Sequence, residues 1–198
     1  MIRSHHAPIF PKLLLTIRLQ IVLHVNKYFA ILRQLAKALM IIIGIGIALP
    51  LIIGYIFGIS PGLLLALIAA TLALQATASP VGVGLGLPPE IIMAVMICFA
   101  LGMVLGIYEI LDTMALTSPK VKGWLDKTEQ KMSKLKKFQK YGAFACIFIS
   151  WIPGLGLYST PMIAWVLRWN KWLSILCTVF GFSLVAAFFM LVTLGIVT

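Results

Sequence analysis

From residue 38 to residue 89 the chain carries no Asp, Glu, Lys or Arg, a run of 52 residues. A helix that crosses a bilayer needs about 20 predominantly apolar residues, because the hydrocarbon core is about 30 Å thick and a helix rises about 1.5 Å per residue. The run is long enough for two such segments. Residues 91–108, 141–167 and 172–198 are equally free of charge. With 62% of all residues hydrophobic, 11% charged and a mean hydropathy of +1.08, no water-soluble domain of this size fits. The expectation is an all-α, multi-pass membrane protein.

The net charge of +11 comes from 16 Lys and Arg against five acids. In a soluble chain such a balance would point to nucleic acid. Here six of the cations precede residue 38, eight lie between 112 and 141, and the last two are Arg168 and Lys171. Cations that flank apolar spans mark the cytoplasmic side of a membrane, so no nucleic-acid partner is expected, and the N-terminus and residues 112–140 are assigned to the cytoplasm of a cell-membrane protein. Cys98, Cys146 and Cys177 fall inside apolar segments, which suits buried thiols better than a disulfide framework. The chain start lacks the short basic, apolar and small-residue pattern of a cleaved signal peptide.

Residues 1–37 read instead as a basic amphipathic interfacial helix. Leu14, Ile17, Ile21, Val25, Tyr28, Leu32, Leu35 and Leu39 recur at helical spacing, with Lys12, Arg18, Lys27, Arg33 and Lys37 elsewhere around the wheel. All its charges are cationic, so an anionic lipid interface is the preferred partner and a neighbouring helix the alternative. A second basic amphipathic helix is expected over 118–140, opened by Ser118 as N-cap and Pro119 at the first helical position. Its Val121, Trp124, Leu125, Met132, Leu135 and Phe138 form the apolar stripe, and a plain solvated connector is as good a reading as lipid recognition.

Five plain crossings would put these two basic segments on opposite faces, against the positive-inside rule. One segment before residue 111 must therefore enter and return. The proline- and glycine-rich run 79–89 is where a helix breaks. Arg168 and Lys171 must likewise rejoin the Lys-rich side, and Pro153-Gly154-Leu155-Gly156 sits midway through 141–167. The transmembrane domain, 38–198, is thus expected to hold a span at 38–57, a re-entrant hairpin at 61–89, and a span at 91–111. A second, oppositely oriented hairpin at 141–167 and a last span at 173–197 follow the basic helix. Broken backbone at membrane depth is tolerated where protein or a water-filled cavity satisfies it, and inverted repeats with discontinuous helices are a transporter architecture.

The run from Ser79-Pro80 to Pro89, with Tyr141-Gly142 and the segment from Ile152-Pro153-Gly154 through Tyr158-Ser159-Thr160 to Ile163-Ala164, resembles the small multidrug export protein family. That family is distantly similar to the DedA and VTT membrane proteins. The resemblance covers roughly residues 60–198. It implies a transporter, and its relatives are associated with moving lipids or lipid-linked phosphates between leaflets. Those relatives usually carry an acid and an arginine before the first motif, where this chain has Leu74-Gln75-Ala76-Thr77-Ala78, and arginines around the second, where it has Ser150 and Gly156. Gln75 does not titrate, which weakens any claim of proton coupling through that position. Arg168 falls where DedA-like sequences often have a basic residue; beside Trp165, Trp169 and Trp172 it reads first as a topology anchor in an aromatic belt.

The candidate substrate path is Gln75, Thr77, Ser79, Pro80, Gly82 and Gly84 near the first break, and Ser150, Pro153, Gly154, Gly156, Tyr158, Ser159 and Thr160 near the second, with Arg168 beyond it. Each hydroxyl or amide taken alone is expected to bond to neighbouring helices. Glu109 and Asp112, three apart, are expected in a local salt bridge, and Glu90 to mark the outer interface or open the next helix. No residue set carries familiar catalysis, no Cys pair has zinc spacing, and no metal or cofactor is expected. Three functions remain open. The first is transport of a small amphipathic solute or lipid, with further copies of the chain as an allowed partner. The others are a non-transporting subunit docking through its basic helices, and a lipid enzyme.

Overall fold

The computed structural model describes residues 29, 31–117, 121–123, 125–128, 142–152 and 156–197. Most of the two expected basic helices, 1–37 and 118–140, lies outside the described residues. Every regular element among the described residues is helical. Helix α1 runs over Ile31–Ile56 and α2 over Pro61–Leu74. A 3-10 turn at Gln75–Ala78 leads into the short α3, Ser79–Gly84, and α4 spans Pro89–Thr117. After a 3-10 turn at Gly142–Phe144 come α5, Ala145–Ile149, α6, Gly156–Val166, and α7, Lys171–Val197.

Among the described residues four helical segments are long and apolar enough to cross a membrane: Ile31–Ile56, Pro61–Gly84, Pro89–Ala115 and Lys171–Gly195. The chain is therefore a multi-pass membrane protein. By length and composition the segment expected as the first hairpin qualifies as a fourth candidate span, although its helix is interrupted at Gln75–Ala78.

The breaks follow from local chemistry. Pro61 and Pro89 sit at or next to the first helical position, where a missing N–H costs nothing. Gly58 and Gly86 close α1 and α3 at positive φ, +70° and +72°. Each donates its N–H to the carbonyl three residues back while the next residue reaches five back, as Ile59 does to Gly54 and Leu87 to Gly82. This two-bond helix ending needs a left-handed residue, which glycine supplies without strain. Inside α1, Pro50 has no N–H to give Gly46, and the helix widens into a π turn at Gly44–Ala48 immediately before it.

Helix α4 is the axis of the bundle: 56% of its span is buried, against 17% for α1 at the periphery. Helices α1 and α4 run antiparallel and very close. A Cβ on Gly102 would stand 2.6 Å from the Gly46 backbone N, and one on Gly106 would run into Ile42. Small residues four apart allow such an approach, and dispersion between the backbones stabilises it where lipid gives no hydrophobic drive. The pair is tied at one end by Lys37 Nζ and Glu109 Oε1, 2.7 Å apart. Helix α7 packs on α4 and turns Leu176, Phe180, Leu184, Phe188 and Leu191 outward at three- and four-residue spacing, a face suited to lipid.

Candidate functional site

The interruption at Gln75–Ala78 meets the first turn of α6. Gln75 ends α2 with φ 57° and ψ −131°, a backbone conformation that side-chain-bearing residues avoid. Its buried Oε1 accepts the N–H of Leu157 at 3.2 Å. Leu157 lies in the first turn of α6, where backbone N–H groups have no partner inside the helix. Gln75 thus caps, from 82 residues away, the helix that follows the second break. The opposite end is also matched: Tyr158 Oη donates to the carbonyl of Leu72 at 2.7 Å, in the last turn of α2, and Thr77 Oγ1 donates to Leu74 O. The negative end of α2 and the positive start of α6 therefore satisfy each other's orphaned groups through side chains.

Two further hydroxyls anchor the breaks to α7. Ser79 Oγ, fully buried, donates to Ala186 O at 2.8 Å, and Ser150 Oγ lies 2.7 Å from Cys146 O and 3.4 Å from Thr178 O. Ser150 also receives Gly156, whose Cβ, if present, would stand 2.8 Å from the Ser150 carbonyl carbon. Thr160 Oγ1 donates to Gly156 O. Gly82 is packed on Ile92, with Pro80 half-buried beside it. Ser159 is half-buried in α6.

Not every expected path residue joins this group. Gly84 is exposed, with open space where a Cβ would be. Pro153 and Gly154 lie outside the described residues. Arg168 sits at the far end of α6, at φ 56°, and ends the helix as Gly58 and Gly86 end theirs, with Trp169 N–H reaching Ala164 O. A side-chain-bearing residue at this conformation costs about 1 kcal/mol. Arg168 faces a cleft of about 280 Å³ with Asp112, Lys122, Leu125 and Trp165.

That cleft gathers residues the sequence left apart. Asp112 accepts both the Trp165 indole N–H and the Lys171 ammonium, each at 2.8 Å, and Lys171 lies 5.4 Å from the centre of the Tyr108 ring. Glu109 and Asp112 were expected in a local salt bridge. Each instead reaches a distant helix: Glu109 binds Lys37, 72 residues away, and Asp112 binds Lys171, 59 away. Lys37, Lys122, Arg168 and Lys171 are thus drawn to one end of the bundle, here called the basic end. Glu90 opens α4 at the other end, as expected.

Sequence reasoning missed Thr71, Ser174 and Thr178, all buried. Lys171, Ser174 and Thr178 at spacings of three and four form one polar row on a largely apolar helix, a signal readable in advance. Among the described residues no group of three His, Cys, Asp or Glu could hold a metal ion.

A protein-family model described as "putative small multi-drug export protein" matches residues 75–188, which is 114 of the 198 residues. No curated protein and no solved structure matches the chain.

Proposed function

Because this chain belongs to the small multidrug export family, we propose that it is a transporter that passes a small amphipathic solute or lipid between two opposed re-entrant hairpins. The observation that carries the proposal is the Gln75–Leu157 bond, by which two broken segments meet inside the bundle.

Helix register supports re-entry. Gly46 faces Gly102 and Gly54 faces Leu64, so α2 begins near the level of Ala94. If the segment 61–84 crossed the membrane, Gly82 would reach the basic end. It packs instead on Ile92, next to where the segment began. The second segment behaves likewise from the other side. Gly142 lies against Trp169, Ile147 and Ser150 lie against Gly181, and Trp165 is back at Asp112. The depths agree: about 21 Å for α2 and about 12 Å from Leu157 to Trp165, against about 30 Å from Ile92 to Asp112 on α4, at about 1.5 Å per residue. The hairpin tips meet inside the apolar layer, in an arrangement that suits alternating access. Gln75, Ser79, Ser150, Gly156 and Tyr158 would line the path there. The positive-inside rule puts the basic end, with residues 112–140 and the N-terminus, in the cytoplasm.

Single cysteines at Gly62 and Gly84, in a background without native Cys, test the topology. Charged thiol reagents should reach both from one side of the membrane, opposite to a cysteine at Lys122. Labelling from opposite sides would make 61–84 a plain span and end the hairpin reading. Transport itself is read in proteoliposomes that report both dye efflux and lipid leaflet exchange; if neither exceeds empty liposomes, the assignment fails.

A further inference from the structure

One helical turn into the bundle from the Asp112–Lys171 pair stand two hydroxyls that the fold leaves unsatisfied. Tyr108, a turn before Asp112 on α4, is 2% exposed, and Ser174, a turn after Lys171 on α7, is 0% exposed. They are neighbours close enough to make a weak contact with each other, and neither Tyr108 Oη nor Ser174 Oγ is in good hydrogen-bond geometry with any group of the fold. An unsatisfied buried hydroxyl costs about 1–3 kcal/mol. Native structures usually meet that cost with a bound water, which itself needs two or more polar partners.

The two hydroxyls are also the first members of a longer row. The Cys146 thiol neighbours Ser174 and Thr178, Ser150 reaches Thr178 O, and Ser150 carries Gly156, the residue before the Leu157 N–H that Gln75 accepts. At its outer end the row begins in solvent, since the Lys171 and Asp112 side chains are 42% and 45% exposed. Polar groups therefore continue from the basic end to the meeting point of the two breaks.

We infer that this seam between α4, α5 and α7 is a water-binding access route from the basic end, with Tyr108 Oη and Ser174 Oγ as its water-holding pair. Its ligand is water, and a small hydrated solute could follow. What the route leads to rests on the opposed-hairpin reading; that water enters it does not.

The native Cys146 reports on it. With Cys98→Ala and Cys177→Ala, only Cys146 remains, and a membrane-impermeant methanethiosulfonate reagent is applied to either side of oriented proteoliposomes. Cys146 should be modified from the side that labels a cysteine at Lys122. Tyr108→Phe and Ser174→Ala remove at most the weak contact between the two hydroxyls, so each should leave the unfolding midpoint close to that of the wild type. Each should still slow modification about tenfold, the worth of one hydrogen bond. Modification from the opposite side, modification by permeant N-ethylmaleimide alone, or unchanged rates in both variants would overturn the inference. Labelling of Cys146 in a protein that moves neither dye nor lipid would leave the route standing and remove the transport reading; dye or lipid movement without labelling would do the reverse.

Discussion

Replacing Gln75 separates two effects that the wild-type residue combines. Its side chain gives Leu157 N–H an acceptor inside the bundle, and its backbone holds a conformation suited to glycine. Gln75→Ala removes the acceptor and keeps the strain. A buried N–H left unpaired costs about 1–3 kcal/mol. Gln75→Gly loses the same acceptor but releases about 1–3 kcal/mol of backbone strain, against about 0.5–1 kcal/mol of extra chain entropy in the unfolded state. The expected order of stability is wild type, then Gly, then Ala, with Ala about 2 kcal/mol below wild type and Gly about 1 kcal/mol above Ala. Unfolding in mixed micelles of rising dodecyl sulfate fraction, followed by tryptophan fluorescence and far-ultraviolet dichroism, measures both gaps. An Ala variant as stable as Gly, or within about 0.5 kcal/mol of wild type, would refute the assignment of Gln75 as a strained cap of α6.

The same assay checks three more expectations. Gly102→Ala should cost about 1–3 kcal/mol because its Cβ would meet the Gly46 backbone, which has no rotamer to give; Gly44→Ala, with open space around it, should stay within about 0.5 kcal/mol. Arg168→Gly should be more stable than Arg168→Ala by about 1 kcal/mol, since both lose the guanidinium but only Gly suits φ 56°. Asp112→Asn keeps an acceptor for Trp165 and gives up a half-exposed ion pair, so it should cost under about 1 kcal/mol. Asp112→Ala also strands the indole N–H and should cost about 1–2 kcal/mol more.

Much of the architecture was legible because apolar length and Pro-Gly chemistry act locally. The charge-free runs 38–89, 91–108 and 172–198 hold the helices that can cross, whereas 141–167 holds only short helices among the described residues, and Gly86 and Pro89 punctuate the chain where the structure does. The first break was expected within 79–89, on its density of proline and glycine. The helix first breaks earlier, at Gln75–Ala78, and resumes through Ser79-Pro80. Proline at the start of a helix begins a new one as readily as it ends an old one, so the motif marks the restart. Gln75 was chosen as a polar residue near the break; that it is the break, and the cap of another helix, depends on a partner 82 residues away. Ser174 and Thr178 escaped notice because isolated hydroxyls in an apolar helix look like ordinary back-bonding, as Thr178 to Ser174 O indeed is.

What the sequence by itself determined is the solvent and the material: a chain with this composition has to satisfy its backbone in helices within lipid, and its cations have to gather at the aqueous ends. Only the tertiary structure decided which distant groups satisfy one another. Glu109 and Asp112 bind Lys37 and Lys171 on separate helices and not each other's neighbourhood. Gln75 meets Leu157 because the approach of α2 and α6 sets that pair together. Local propensity fixes where a helix starts and stops within a few residues, whereas a hydrogen bond between two breaks depends on the packing of every helix that carries them.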